Sequence, residues 1–269
     1  MPARISIVVA SRGRPFELRR CLDGLAQAVW PLVEVVVVTD RAGREAAADR
    51  SGIAVVAFDE PNLAAARNAG LRATGGDIVA FIDDDAVPEP MWLAALAEAF
   101  DDASVGAATG PVLGRNGISL QSAAETILSD ATTVPSTGDP AVRRASPGRA
   151  PKTVGANMAF RADLIRAAGG FDETFRFFLE DADLDMRLGE MGVITAYAAD
   201  AVVHHGSAAS PRRRSDRAPI ELLDIGRSTA AFLLRHHPAA RVREALDAAR
   251  ARELARAVRV LQGGALEPR

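Results

Sequence analysis

The sequence predicts an α/β protein: an open sheet flanked by helices, followed by a helical C-terminal extension. Three observations carry this. Short β-branched runs alternate with helically spaced segments, several of those runs are apolar almost without interruption, and the first four each end in polar side chains. Alternation gives strand–helix–strand units, and continuous apolar runs suit parallel strands covered on both faces. Polar residues gathered at strand carboxyl ends define a ligand crevice.

In chain order, RISIVVAS (4–11) is the first strand, and PFELRRCLDGLAQAV (15–29) has helical spacing with Pro15 where a first-turn proline belongs. LVEVVVVTD (32–40) and GIAVVAFDE (52–60) are strands read as covered on both faces. NLAAARNAGLRATG (62–75) is a helix with Asn62 as N-cap, DIVAFIDDD (77–85) a further strand, and PEPMWLAALAEAFDD (88–102) a helix opened by prolines and acids. The stretch 110–152 is rich in Gly, Pro, Ser and Thr; it predicts one helical piece over 119–128 and a mobile basic loop after Pro135, a candidate lid. TVGANMAFRADLIRAAGGFDETF (153–175) restores order with a strand carrying Gly155 and Asn157, a helix from Arg161 and a glycine pair that stops it. LEDADLDMRLGEMGV (179–193) is an acid-opened helix with Leu184, Leu188 and Met191 as core positions, and ITAYAADAVVHHGSAAS (194–210) ends a strand on two histidines. After the basic PRRRSDR (211–217) the chain is helical from Ala218, and 239–261 sets arginines around an alanine and leucine stripe, suited either to packing or to anionic lipid headgroups.

Composition narrows the function. A net charge of −3 on 269 residues, with 48% hydrophobic and 25% charged, excludes a molecule built as a whole for nucleic acid or membrane surfaces. The single cysteine, Cys21, excludes an internal disulfide framework and a cysteine-based zinc site; it is read as a core residue in a reducing compartment. No apolar stretch approaches the roughly 18 residues of a membrane span, and the N-terminus lacks a secretory signal, so a cytoplasmic protein is expected.

Asp83, Asp84 and Asp85 follow one another at a strand end. Carboxylates packed so closely repel one another, which calls for a cation, and a divalent metal is the first candidate. On an extended chain Asp83 and Asp85 face one side while Asp84 points away. Without a cation the strand end should be poorly ordered or hold a compensating arginine. Ser11 and Arg12, Asp40, and Asp59 with Glu60 end the other three strands, so four strand ends address one crevice.

The segments SIVVASRGRPFELRRCLDGL, EVVVVTDRAG, NLAAARNAGLRATGGDIVAFIDDDAVPEPMWL, GANMAFRADLIRAAGGFDETF and EDADLDMRL, in this order, resemble the family 2 glycosyltransferases with the GT-A fold, over about Ile5 to His205. The resemblance implies an open mixed sheet, with a glycosyltransferase domain over 1–210 (donor half 1–110, acceptor-side half 111–210) and a helical extension over 211–269. It implies an inverting enzyme moving a sugar from a UDP- or dTDP-linked donor to a carbohydrate, lipid-linked or other hydroxyl acceptor, with Mn²⁺ or Mg²⁺ bound. Peripheral contact with the inner face of the membrane would run through the C-terminal helix. Asp83–Asp85 is similar to the family's DxD motif, which assigns Asp85 to the metal, Asp83 to metal or donor, and Asp84 to the nucleotide sugar. His204 is the matching metal histidine and His205 the alternative. Ser11, Arg12, Asp40 and Arg67 are assigned to the nucleotide, and Gly155 and Asn157 to the donor-sugar pocket, the glycine because a side chain would obstruct the sugar. EDADLD is similar to the family's ED motif, which makes Asp181 the base and Glu180 its positioning neighbour. TDRAG departs from the usual acid doublet at Thr39, and SRGRP lacks the tyrosine and asparagine of many relatives. Two rivals are a sugar nucleotidyltransferase, which would carry a glycine-rich loop after the first strand, and a degenerate nucleotide-sugar-binding module.

Overall fold

A computed structural model describes residues 2–31, 33–139, 142–212, 214 and 218–263. Most of the basic loop at 211–217 and the last residues of the extension therefore lie outside the described residues. The elements are Ile5–Ser11 (β1), Pro15–Leu25 (α1), Val33–Thr39 (β2), Arg41–Ala47 (α2), Ile53–Ala57 (β3), Leu63–Ala73 (α3), Ile78–Asp83 (β4), Ala86–Pro88 (β5), Trp92–Ala99 (α4), Val105–Thr109 (β6), Val112–Gly114 (β7) and Leu120–Ser122 (β8). They continue with Glu125–Leu128 (β9), Thr133–Pro135 (β10), Arg149–Lys152 (β11), Met158–Arg161 (β12), Ala162–Ala167 (α5), Glu180–Glu190 (α6), Ile194–Tyr197 (β13), Val203–His205 (β14), Leu223–His236 (α7) and Val242–Gln262 (α8).

The expected open mixed sheet is present. Its strand order is β13-β6-β12-β4-β1-β2-β3, all parallel except β12, which runs antiparallel between β4 and β6. Alternation along β1 sorts its side chains: Ile5, Ile7 and Val9 join the core under α1 and α4, while Val8 joins the core of the opposite face with Phe81, Phe160 and Phe171. Cys21 is fully buried in the first of these cores. Pro15 opens α1, and the Asn62 side chain caps α3 by accepting from the Ala65 amide at 3.1 Å. β3 is not covered on both faces as expected; it is the sheet edge, and Val55 is exposed.

Two small sheets border the cleft, β5-β14-β7-β8 with Gln121 and His205 and β10-β9-β11 with Glu125 and Lys152. They replace the helix expected over 119–128, because Val112 pairs with Ser122 and β9 is hydrogen-bonded on both sides. After Pro135 the described chain forms β11, paired to β9, and an isolated bridge from Arg143 to Thr195. Leu184 and Leu188 are buried as expected, but Met191 lies past the end of α6 and is exposed. α7 packs onto α6 through the fully buried Phe232 and through buried Asp183, which accepts from Arg235 Nη1 at 2.7 Å, His236 Nε2 at 2.9 Å and Arg187 Nε at 2.9 Å. No helix of the described residues is long and apolar enough to cross a membrane.

Candidate active site

β4 delivers Asp83 to the carboxyl edge of the sheet, and the chain turns through Asp84 and Asp85 into β5. β5 pairs antiparallel with β14, setting His205 opposite Ala86 and His204 opposite Val87. Neighbouring residues on a strand point to opposite sides, so one histidine alone can meet Asp85. It is His205: one ligand atom from each of Asp83, Asp85 and His205 lies within 4.8 Å of the others, with His205 Nε2 3.2 Å from Asp85 Oδ1 and 3.9 Å from Asp83 Oδ2. His204, the histidine preferred from the sequence, turns to Glu89 at 3.0 Å and is corrected to His205.

A compensating arginine holds the acidic turn. Arg14, between β1 and α1, is bonded through Nε to Asp84 Oδ2 at 3.0 Å, pairs more closely through Nη2 with the other Asp84 oxygen, and reaches Asp85 Oδ2 through Nη1 at 3.2 Å. Asp84 is fully buried; burial pushes its carboxyl up to about 7 against the pull of Arg14, with Asp85 adding to the push. It is a buried anchor turned away from the cleft, which corrects its assignment to the nucleotide sugar. Burial also pushes Asp85 up, but His205, Arg14 and the Ala208 amide outweigh it and hold that carboxyl below the usual range.

Arg67 joins the two walls. On α3, buried over the Phe171 ring, it donates from Nη2 to Asp83 Oδ1 at 3.0 Å and to the Gly155 carbonyl at 3.2 Å, and from Nη1 to Glu180 Oε1 at 2.7 Å. A Cβ at Gly155 would lie 2.7 Å from Arg67 Nη2, so a side chain here would displace the buried guanidinium, a reason for the glycine other than the expected sugar contact. Asn157 is fully buried and lies outside the cleft lining: its Oδ1 accepts from Trp92 Nε1 at 2.8 Å, and its Nδ2 donates to the carbonyls of Ala201 at 2.7 Å and Pro111 at 3.2 Å. It ties strands together instead of lining a sugar pocket.

Across the cleft, α6 starts after Phe178 and Leu179, both in the left-handed region at φ +74° and +66°. Such backbone is costly for non-glycine residues and persists where packing enforces it; here Leu179 is buried. Asp181 accepts from the Gly155 amide at 3.1 Å and from the Ala182 amide at 2.8 Å. Burial and the adjacent Asp181 push Glu180 up to about 7 against the pull of Arg67. One turn on, buried Asp185 accepts from the Thr153 amide and hydroxyl, both at 2.8 Å; burial, then Asp181, push it up to about 8.

The walls enclose a cleft of about 660 Å³ lined by Ser11, Arg12, Arg67, Asp83, Asp85, Gly155, Glu180, Asp181 and His205. Arg12 sits at its rim, its Nε bonded to Asp59 Oδ1 at 3.1 Å. Asp40 does not line it: its oxygens accept from Gly13 at 2.8 Å and, as the cap of α2, from Gly43 at 3.0 Å. Arg14, Gln121 and Lys152 also line the cleft, and sequence reasoning gave none of them a role. Arg14 stood in the quoted SRGRP; Gln121 and Lys152 sit on strands that local pattern did not reveal.

With a mixed sheet that ends β4 in the acidic turn, His205 of β14 beside that turn and an acid-opened helix facing them, the molecule has the GT-A fold of the glycosyltransferases. The chain belongs to glycosyl transferase family 2, whose model matches residues 6–168. It is similar to the O-antigen biosynthesis protein RfbC of Myxococcus xanthus, 28% identical over an alignment of 242 positions that covers 80% of this chain and 18% of that protein. The chain thus spans about a fifth of the length of this relative. In fold it is similar to S. aureus TarS 1-349 in complex with UDP-GlcNAc (TM-score 0.60, 17% identity, 90% of this chain and 70% of that one). It is also similar to the mannosyltransferase PcManGT from Pyrobaculum calidifontis in complex with GDP-Man and Mn²⁺ (TM-score 0.57, 20% identity, 98% of this chain and 80% of that one).

Proposed function

We propose that this chain moves a sugar from a nucleoside-diphosphate donor, UDP- or dTDP-linked, to a hydroxyl acceptor with inversion at the anomeric carbon, assisted by a divalent cation. One observation carries the reading: Asp83, Asp85 and His205 converge on one wall of a cleft whose other wall presents Asp181. The donor set fits a cation such as Mn²⁺, since two carboxylates supply hard oxygens and the imidazole a neutral nitrogen. A cation held there supplies charge neutralisation to a departing diphosphate. The fold relatives with UDP-GlcNAc, and with GDP-Man and Mn²⁺, support a nucleotide-sugar donor.

The chain's own groups then divide the work. Ser11 and Arg12 line the end of the cleft where β1 stops, the place for the nucleotide. Asp181 takes the proton of the acceptor hydroxyl as its oxygen bonds the anomeric carbon opposite the leaving diphosphate, and that geometry inverts the centre. The Gly155 and Ala182 amides hold the carboxylate in orientation. Glu180 acts through Arg67, keeping α6 at a set distance from Asp83. On α8, Leu254, Val258 and Leu261 are exposed at helical spacing among arginines, which supports peripheral contact with anionic lipid.

A thermal-shift panel of nucleotide sugars with Mn²⁺ should select one donor, and NMR of the product should show inverted anomeric configuration. A panel without a hit sinks the donor reading, and retained configuration sinks the inverting one. Asp85→Ala should weaken donor binding in Mn²⁺ at least about tenfold by calorimetry, in the range found for lost metal-site contacts; unchanged affinity would count against ligation by Asp85.

A further inference from the structure

The three candidate ligands share a pattern on their far sides. The second oxygen of Asp83 is held by Arg67 at 3.0 Å, and that of Asp85 by Arg14 at 3.2 Å and the Ala208 amide at 2.7 Å. The second ring nitrogen of His205, Nδ1, lies 3.1 Å from Oε1 of Gln121 on β8. This amide is not free to turn over, because its Nε2 donates to the His205 carbonyl at 3.1 Å. Gln121 thus grips ring and main chain of one residue, and the atom facing Nδ1 is an oxygen, which can only accept.

We propose that Gln121 is the positioning residue of the metal site: by keeping the ring proton of His205 on Nδ1, it selects Nε2 as the nitrogen turned on Asp83 and Asp85. The inference rests on the metal reading above. Ligation needs an unprotonated nitrogen, and a metal-bound histidine is commonly oriented by an acceptor opposite its other nitrogen.

The contact spans a strand. β7 lies between β14 and β8, and His205 pairs with Gly114 of β7. A Cβ at Gly114 would stand 3.4 Å from Gln121 Nε2 and 2.3 Å from Ser119 Oγ. The Gln121 amide thus crosses β7 at ordinary contact distance from position 114, and it is Ser119 that leaves no room for a side chain there. β8 is therefore functional in this reading, although it contributes no ligand.

The test is a Mn²⁺ titration read by the electron paramagnetic resonance of the free ion, with and without uridine diphosphate, alongside urea unfolding. Gln121→Leu should bind Mn²⁺ about 10–100-fold more weakly than the unaltered protein, and Gln121→Glu, which restores an acceptor opposite Nδ1, should recover most of that loss. Equal affinity in Gln121→Leu overturns the proposal, as does an equal loss in both variants, which would point to side-chain shape. If Gln121→Leu does not fold, Gln121→Asn withdraws the oxygen by one methylene and is read in the same way. An unaltered protein that takes up no Mn²⁺ under either condition overturns the metal reading itself, an outcome distinct from failure of the Gln121 assignment alone.

Discussion

The two walls of the cleft keep their carboxylates in different company. On the strand-end wall the three carboxylates of the acidic turn meet guanidinium groups: Asp83 has Arg67, and Asp84 and Asp85 share Arg14. On the helix wall Glu180 and Asp183 also meet cations, but Asp181 is held by two backbone amides and Asp185 by the amide and hydroxyl of Thr153. A carboxylate fixed by a guanidinium serves as a tie or a ligand. Asp181 lines the cleft where Asp185 does not, and it is held by amides where Glu180 is tied to Arg67, which supports the proposal of Asp181 as the base.

The strongest way to break this contrast is Asp181→Asn. It should lower the transfer rate by about 10²–10⁴-fold, the usual worth of a positioned base, while leaving donor and Mn²⁺ affinity unchanged by calorimetry. Retained transfer removes Asp181 from the role. Arg67→Met tests whether the walls depend on one another, since it strips the cation from Glu180 and Asp83 together. Urea unfolding should show a loss of about 3–5 kcal/mol, as for breaking a buried pair, and a loss below about 1 kcal/mol would reduce Arg67 to a surface-like ion pair.

The smallest effect concerns pH. Asp84 and Glu180 are pushed up to about 7 and Asp185 to about 8 from ordinary values of 3.8, 4.5 and 3.8. Between those limits the folded chain still binds protons that the unfolded chain has released, so stability falls as pH rises from about 5 to about 8 and levels off above. Asp185→Asn should make that decline shallower, because it removes the carboxyl with the largest upward shift of the three. A slope that does not change would mean Asp185 is not titrating there.

Local pattern was enough for β1, β2 and β4, because a parallel strand buried on both faces is apolar along its whole length. It failed over 119–128, where partners distant in the chain turn a helix-like string into β8 and β9; strand formation answers to packing more than to intrinsic preference. The acidic turn was legible as a candidate cation site, but not which histidine lies beside it. Alternation says that one of His204 and His205 faces Asp85, and only the register of β14 against β5 says which. Asn157 was misjudged for a similar reason: its partners, Trp92, Pro111 and Ala201, come from segments far from it in the chain.

The crowding of Gly155 against Arg67 bears on how this chain can change over generations. No residue with a side chain can enter at Gly155 while the guanidinium stands 2.7 Å from where its Cβ would be. Shortening Arg67 first strands Glu180 and Asp83, and neutralising Glu180 first leaves a buried cation short of an anion. A change at any one of Gly155, Arg67 and Glu180 therefore disturbs the other two.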